Sequence, residues 1–191
     1  MEKEFRSSLS KLEVRDGQDG GHTISGYAVV FNQPSSGLGF TEYIDSHALD
    51  DVEMRQVLAL YNHDYANVLA RVDTKTLKLT VDEKGLVFEC AIPNTTLGND
   101  VFENIRNGNI QGCSFGFMVS EDEWSADKDG NEQRLVKKIS DLYEISLTTI
   151  PAYEQTSVSA VRDRHVDELK RKKLLLNLDL IDIMGGIEHD H

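Results

Sequence analysis

Residues 76–92 read TLKLTVDEKGLVFECAI and contain the clearest secondary-structure pattern of the chain. Apolar and polar residues alternate strictly from Thr76 to Val81, and an apolar, strand-forming run follows from Leu86 to Ile92. Two such runs on either side of a short polar turn predict antiparallel strands, and the turn here is Asp82-Glu83-Lys84-Gly85. A β-hairpin is therefore the firmest part of the predicted fold.

Further strands are predicted on both sides of this hairpin. A helix is predicted over residues 97–107, where Val101 and Ile105 recur at helical spacing, and an acidic, glycine-containing loop over 121–131. Strands are predicted at residues 10–31 (a second hairpin), 40–44, 57–62, 110–120, 134–139 and 143–149. These elements indicate an α+β, mainly β domain, built as a closed or nearly closed antiparallel barrel with helices packed around it.

The character of the sequence changes after Asp163. A leucine-rich helical pattern surrounds the basic run Lys170–Lys173, and a polar, histidine-rich end follows Gly185-Gly186. A chain of 191 residues suffices for one domain of ordinary size. We therefore predict one domain over residues 1–162 and a C-terminal helical tail over 163–191, with the basic run as a solvated helix face.

Charge and hydropathy argue against several classes of function. The net charge of −13 disfavours binding to nucleic acid, which requires basic patches facing phosphates. No apolar run approaches the roughly 20 residues that span a bilayer, and the charged N-terminus lacks the apolar core of a secretory signal. Neither a membrane anchor nor export is expected, so Cys90 and Cys113 are predicted to be free thiols in the cytosol. No metal-binding or phosphate-binding motif occurs, so no cofactor is expected.

Three separated residues could together perform serine-type acyl transfer. Ser114 lies in a strand between Gly112 and Gly116, whose small size leaves space beside the hydroxyl. His63 alone among six histidines follows a buried strand, where a rigid scaffold can position a general base. Glu144 lies among apolar residues, where a buried carboxylate needs a partner such as an imidazole. A serine hydrolase needs this combination because a hydroxyl is a poor nucleophile at neutral pH.

Each of these residues also has an alternative interpretation. His63 could be a hydrogen-bonded residue at a strand end, and Glu144 a surface strand glutamate. Asp141, three residues earlier, is the substitute for the acid if the strand register differs from the predicted one. Cys113 is an alternative nucleophile, although strand alternation directs it away from the face of Ser114. Asp64 is interpreted as a turn residue. The Gly-x-Ser-x-Gly string does not indicate an α/β-hydrolase, because its context is an antiparallel strand.

Several segments, in this order along the chain, resemble the tailed-phage prohead protease family, which is related to the herpesvirus assembly proteases. They are residues 26–32 (GYAVVFN), 62–64 (NHD), 69–71 (LAR), 112–117 (GCSFGF), 144–148 (EISLT) and 151–153 (PAY). The resemblance implies a herpesvirus-assemblin-like β-barrel with surrounding helices, in which His63 is the general base and Ser114 the nucleophile. Glu144 takes the place of the histidine that completes the triad in the herpesvirus relatives.

The resemblance also implies a function. It is that of a serine endopeptidase inside the assembling procapsid, in the host cytoplasm, which cuts the scaffolding segment from the major capsid protein and then cleaves itself. Self-association is a further expectation, and the tail would recruit the protease to capsid or scaffold, act as a self-cleaved propeptide, or be a plain solvated helix. The alternative is a non-catalytic, capsid-associated or scaffold-like protein that keeps a protease-like barrel.

The oxyanion hole is expected to differ from that of the herpesvirus relatives. Those enzymes have an Arg-Arg pair after the last strand, whereas this chain has Pro151-Ala152-Tyr153. Proline has no backbone N–H to donate. Backbone amides near Ser114 or Ala152 are therefore the expected donors.

Overall fold

A computed structural model describes residues 2–16, 21–35, 38–149, 170 and 172–173, with Ser8 and Leu9 described in their backbone alone. The chain divides into two compact units, Met1–Glu154 and Gln155–His191. In the second unit the described residues Lys170, Lys172 and Lys173 are helical. The predicted boundary at residues 162 and 163 and almost all of the predicted helical tail lie outside the described residues.

The described part of the first unit is mainly β-structure with one helix. Its elements are β1 Glu4–Leu9, β2 Glu13–Asp16, β3 His22–Val30, β4 Thr41–Ile44, β5 Leu58–Tyr61, β6 Asp64–Arg71, β7 Leu77–Val81, β8 Gly85–Ile92, α1 Thr96–Arg106, β9 Gly112–Ala126 and β10 Glu132–Thr148. Both predicted hairpins are confirmed, since β2 pairs with β3 and β7 with β8, each antiparallel. The predicted helix is confirmed as α1, and the Thr95 hydroxyl caps it by accepting the Gly98 N–H. No helix in the described ranges has the length and apolar character to cross a bilayer.

The strands form two sheets. The first sheet, called the site sheet because it contains Ser114 and Glu144, has the order β1-β9-β10-β5-β6, with β4 also paired to β10. The second sheet has the order β2-β3-β8-β7. The prediction of a closed or nearly closed antiparallel barrel with surrounding helices is wrong for the described residues, because they form two sheets with one helix and β10 runs parallel to β4 and β5. A parallel pair joins strands that are distant in sequence, so no local turn signal reveals it.

Two long strands form the centre of the site sheet. β9 continues to Ala126 through most of the predicted loop at 121–131, and the residues that remain form a tight turn in which Asp127 accepts the Asn131 N–H. β10 includes both strands predicted between 134 and 149, with register shifts between Val136 and Glu144 in place of a break. The acidic residues tolerate strand structure because cations lie opposite, as in the 3.0 Å contact of Lys137 with Glu123.

Strand alternation gives β9 two chemically different faces. Cys113, Phe115 and Phe117 are buried in the apolar core with Ile145 and Leu147 of β10. Residues between them, including Ser114, project to the opposite face, as the sequence predicts. The core therefore holds one face of the strand, while Ser114 lies on the other face between Gly112 and Gly116.

A buried network of charges attaches β1 to the site sheet. Arg6 Nε lies 2.6 Å from Glu42 Oε1, and Arg134 Nη1 lies 2.7 Å from Glu4 Oε2 and 2.9 Å from Glu42 Oε2. Burial alone would lower the pKa of Arg134, but the hydrogen bond with Glu4 and the charges of Glu42, Glu4 and Asp122 raise it above its ordinary value. Sequence analysis missed β1, because a short segment that contains the charged residues Glu4 and Arg6 does not indicate a buried strand.

Candidate active site

His63 lies in a tight turn between β5 and β6. Tyr61 pairs with Asp64, and the two residues between them, Asn62 and His63, have φ angles of 51° and 60°. Positive φ at both central positions is the requirement of a type I′ hairpin turn, and it is uncommon for residues other than glycine. Asp64 accepts the Ala66 N–H and so acts in the turn, as predicted. The backbone of His63 is thus held in a sparsely populated conformation.

The structure brings His63 and Glu144 into direct contact. His63 Nδ1 lies 2.7 Å from Glu144 Oε1, and the exposed fractions of the two side chains are 17% and 0%. An ionised carboxylate can only accept hydrogen bonds, so Nδ1 donates and the free lone pair of a neutral ring lies on Nε2. The arrangement suits a general base whose outer nitrogen accepts a proton while the inner one is held by the acid.

Ser114 lies on the same face of the sheet as Glu144. In the antiparallel pairing of β9 with β10, Ser114 is opposite Ser146 and Gly116 is opposite Glu144. Residues directly opposite in such a pair project to the same side. The three predicted site residues therefore come from β9, β10 and the β5–β6 turn. Ser114 and Glu144 are diagonal neighbours on one face of adjacent strands, two positions apart in the pairing.

The Ser114 hydroxyl is bonded elsewhere in this conformation. Its Oγ donates to the Arg6 carbonyl oxygen at 2.9 Å, and the side chain is fully buried. Within the described part of the chain, no hydrogen bond joins Ser114 to His63. The prediction of open space beside the hydroxyl is wrong here, because β1 pairs along β9 with Ser7 opposite Ser114.

The N-terminal segment also reaches the histidine. The Phe5 ring packs edge-on against the His63 ring, with centroids 4.9 Å apart. Lys3 Nζ donates to the Tyr65 hydroxyl at 2.6 Å and lies over the rings of Phe5, Tyr65 and Tyr143. Sequence reasoning missed these contacts, because they depend on the pairing of β1 with β9 and leave no local pattern.

The alternative residues lie apart from this arrangement. Asp141 is exposed and accepts the Ser140 hydroxyl at 2.8 Å. Cys113 is fully buried in the apolar core, where burial and the charge of Glu144 raise the pKa of its thiol. A raised pKa disfavours the thiolate, which is the nucleophilic form. Among the described residues, no cluster of three or more His, Cys, Asp or Glu side chains is arranged to hold a metal ion.

Comparison with known proteins identifies the family of this chain. Residues 10–172 match the family model of the caudovirus prohead serine proteases. The chain belongs to this family. It is 31% identical over 159 residues to the prohead protease of Enterobacteria phage HK97, a match that covers 81% of this chain and 67% of the relative. It is therefore a serine protease of the class that acts in phage capsid maturation.

A solved structure shows the same fold at low identity. The bacteriophage T4 capsid assembly protease superimposes with a TM-score of 0.50 at 12% sequence identity. The match covers 78% of this prohead protease and 99% of the T4 chain. At that identity the likeness concerns the fold alone.

Gly116 provides a test of the site geometry. A Cβ atom there would lie 2.8 Å from Glu144 Oε1 and 2.8 Å from Lys3 Cε, closer than real Cβ contacts allow. Gly116→Ala is expected to push the carboxylate away from His63 and lower kcat for peptide cleavage by about 100-fold, since a shift of about 1 Å can cost that much. Steady-state kinetics of the purified variant would measure the change.

The matched control is Gly21→Ala, where an added Cβ meets nothing within 4 Å. It is expected to leave kcat unchanged. Gly116→Ala protein that folds and cleaves at the wild-type rate would show that the position of the Glu144 carboxylate does not limit activity.

The two thiols are expected to resist alkylation in the folded protein. Burial raises the pKa of Cys90 to about 12 and raises that of Cys113 as well. Iodoacetamide at about pH 8, near the ordinary thiol pKa of about 8.5, should modify both after unfolding in urea and neither before it. Intact mass measures the modification, and rapid native-state labelling of Cys113 would restore it as an alternative nucleophile.

Because of the same two thiols, the free energy of unfolding is expected to depend on pH. Above about pH 8.5 the unfolded chain loses the thiol protons that the folded chain keeps, so the folded state binds more protons. The free energy of unfolding is then expected to fall as pH rises, and to fall less steeply in Cys90→Ala. Urea titrations at about pH 8 and pH 10 would measure the difference.

Proposed function

We propose that this prohead protease is a serine endopeptidase that uses Ser114, His63 and Glu144 as its triad. In this proposal it cleaves the scaffolding segment of the major capsid protein and then itself, inside the assembling procapsid in the host cytoplasm. The observation that carries the proposal is the 2.7 Å contact between His63 and the fully buried Glu144, on the sheet face to which Ser114 projects.

Each residue has a defined role in this reaction. Ser114 Oγ attacks the carbonyl carbon of the scissile peptide while His63 Nε2 takes the hydroxyl proton, and His63 then gives that proton to the leaving amine. Water hydrolyses the acyl-enzyme in the second half by the same route. Glu144 keeps the imidazole in the correct tautomer and stabilises its protonated form. Backbone amides near Ser114 or Ala152 would stabilise the oxyanion, and Ala152 lies outside the described residues.

The described conformation is closed toward a substrate. Ser114 is fully buried, and its hydroxyl is bonded to the carbonyl of Arg6 in β1. Catalysis therefore requires the Ser114 hydroxyl to leave the Arg6 carbonyl and hydrogen-bond to His63 instead. It also requires the segment near β1 to allow a substrate peptide to reach Ser114. Weak activity in dilute solution is expected, whereas confinement of protease and substrate in one shell raises their effective concentration.

The partners proposed are the major capsid protein, its scaffolding segment and a second copy of the protease during self-processing. The predicted tail after Asp163 would recruit the protease or be removed by it. The alternative, a non-catalytic capsid-associated or scaffold-like protein with a protease-like barrel, would leave the capsid protein uncleaved.

The test is co-expression of the full chain with its capsid protein, followed by intact mass of both proteins. Fragments of the capsid protein that disappear when a serine-directed fluorophosphonate is present would support the proposal, as would covalent label on Ser114 located by peptide mass. An intact capsid protein in assembled shells, together with unlabelled Ser114, would establish the non-catalytic alternative.

A further inference from the structure

Ser146 makes hydrogen bonds to both His63 and Glu144. Its Oγ donates to Glu144 Oε2 at 2.5 Å and accepts the backbone N–H of His63 at 3.1 Å. A backbone N–H can only donate, so the hydroxyl must be the acceptor in the second contact, and its own hydrogen remains for the carboxylate. The Ser146 hydroxyl can therefore accept from the His63 N–H and donate to the Glu144 carboxylate at the same time.

We infer that Ser146 is a positioning residue of this protease, which holds the Glu144 carboxylate and the His63 turn in the geometry that the reaction needs. The inference rests on the proposed function of these two residues. Ser146 does not touch the reacting atoms in this role. It acts by orienting the acid from one side and fixing the backbone of the base from the other.

The position of Ser146 in the fold supports this role. It is fully buried on β10 between Ile145 and Leu147, which belong to the apolar core. A buried hydroxyl requires partners, and here both of its partners are residues of the His63–Glu144 pair. The next residue along, Leu147, accepts the Asn62 N–H at 3.1 Å, so adjacent residues of β10 hold adjacent residues of the strained turn.

Loss of the hydroxyl would leave two polar groups without this partner. Glu144 Oε2 would lose its hydrogen-bond donor, and the carboxylate could then rotate away from His63 Nδ1. The His63 N–H would lose its acceptor in a turn that already has positive φ at two residues other than glycine. Both changes reduce the preference of the ring for the tautomer with the proton on Nδ1, because that tautomer depends on the Glu144 contact.

The same contacts distinguish Ser146 from the nucleophile. Ser146 and Ser114 are directly opposite each other on β10 and β9. The Ser146 hydrogen is donated to the Glu144 carboxylate, whereas the Ser114 hydroxyl donates to the backbone carbonyl of Arg6, which is not part of the His63–Glu144 pair. Of the two serines, Ser114 is therefore the one whose hydroxyl can turn to His63.

The test compares Ser146→Ala with wild type in the full chain. Ring ¹⁵N shifts of His63 at about pH 8.5, where an ordinary imidazole is neutral, should report the Nδ1–H tautomer in wild type and a mixture of tautomers in the variant. For peptide cleavage, kcat should fall about 10- to 100-fold while KM changes by less than about threefold. Ser140→Ala, at an exposed position on the same strand, is the matched control and should change neither quantity.

The outcomes separate this inference from the proposed function. Folded Ser146→Ala protein with unchanged ring shifts and unchanged kcat would overturn the inference. If the alanine variant does not fold, Ser146→Thr, which keeps the hydroxyl, tests the inference instead. Near-wild-type kcat and ring shifts in this variant would support the inference. Loss of the Nδ1–H tautomer in folded Ser146→Thr protein would overturn it. The ring shifts need no activity. An intact capsid protein and unlabelled Ser114 with the wild type, together with a tautomer change in Ser146→Ala, would overturn the proposed function and leave the positioning role supported.

Discussion

Ser114→Ala is expected to abolish cleavage of the capsid protein and of the protease itself. Removal of the nucleophile of a serine protease lowers kcat by about 10⁶-fold, because the hydroxyl and the imidazole act as one unit. The residual rate that binding alone supports is too small to yield fragments within an assembly experiment. Intact mass of the capsid protein after co-expression would measure the loss directly.

The loss should occur without unfolding. Among the residues that the structure describes, the Ser114 hydroxyl hydrogen-bonds to the Arg6 carbonyl, and removal of this bond is expected to cost about 1 kcal/mol of stability. Ser120→Ala is the matched control, because Ser120 lies exposed on the same strand and donates to the Lys138 carbonyl at 3.3 Å. It should process at the wild-type rate. Normal processing by Ser114→Ala would exclude Ser114 as the nucleophile.

Arg134→Met is expected to lower the free energy of unfolding by about 3–5 kcal/mol, because breaking a buried ion pair leaves an uncompensated charge. Arg134 lies between Glu4 and Glu42, all three nearly fully buried, and also contacts Asp122 at 2.6 Å. Without it, Glu4 and Glu42 would lose a cation that contacts both of their buried carboxylates. Urea unfolding followed by circular dichroism would measure the change.

Arg71→Met is the control for the loss of an exposed charge. Arg71 is 43% exposed and pairs with Asp73 at 2.7 Å, a contact expected to contribute less than about 1 kcal/mol. If Arg134→Met were no more destabilising than Arg71→Met, the buried network would not be what attaches β1 to the site sheet. A large difference between them would identify the network as a main determinant of that attachment.

Local patterns predicted the elements of the fold well where a turn and an alternating run occur together. The β7–β8 and β2–β3 hairpins and α1 are in the expected places, because each depends on neighbouring residues and on hydrogen bonds of short range. The ribbon formed by β9 and β10 was less visible, because acidic residues suggested a loop where cross-strand cations stabilise a strand.

Long-range pairing was not predictable in the same way. β1 contains the charged residues Glu4 and Arg6, and it becomes a buried strand because they meet Glu42 and Arg134, which are distant in sequence. The parallel pairing of β10 with β4 and β5 likewise joins segments distant in sequence. With these long-range pairings the strands form two sheets, where local patterns had predicted a closed or nearly closed barrel.

The chemically important residues of this prohead protease are recognisable from the amino-acid sequence alone: a histidine at the end of a buried strand, a serine between glycines, and a glutamate in an apolar strand. Residue type and local spacing suffice to recognise them. The contact of Glu144 with His63, the hydrogen bonds of Ser146 to both, and the position of β1 over Ser114 become visible in the folded chain alone. Those relations depend on strand register, which is determined by packing and buried charge across the whole sheet.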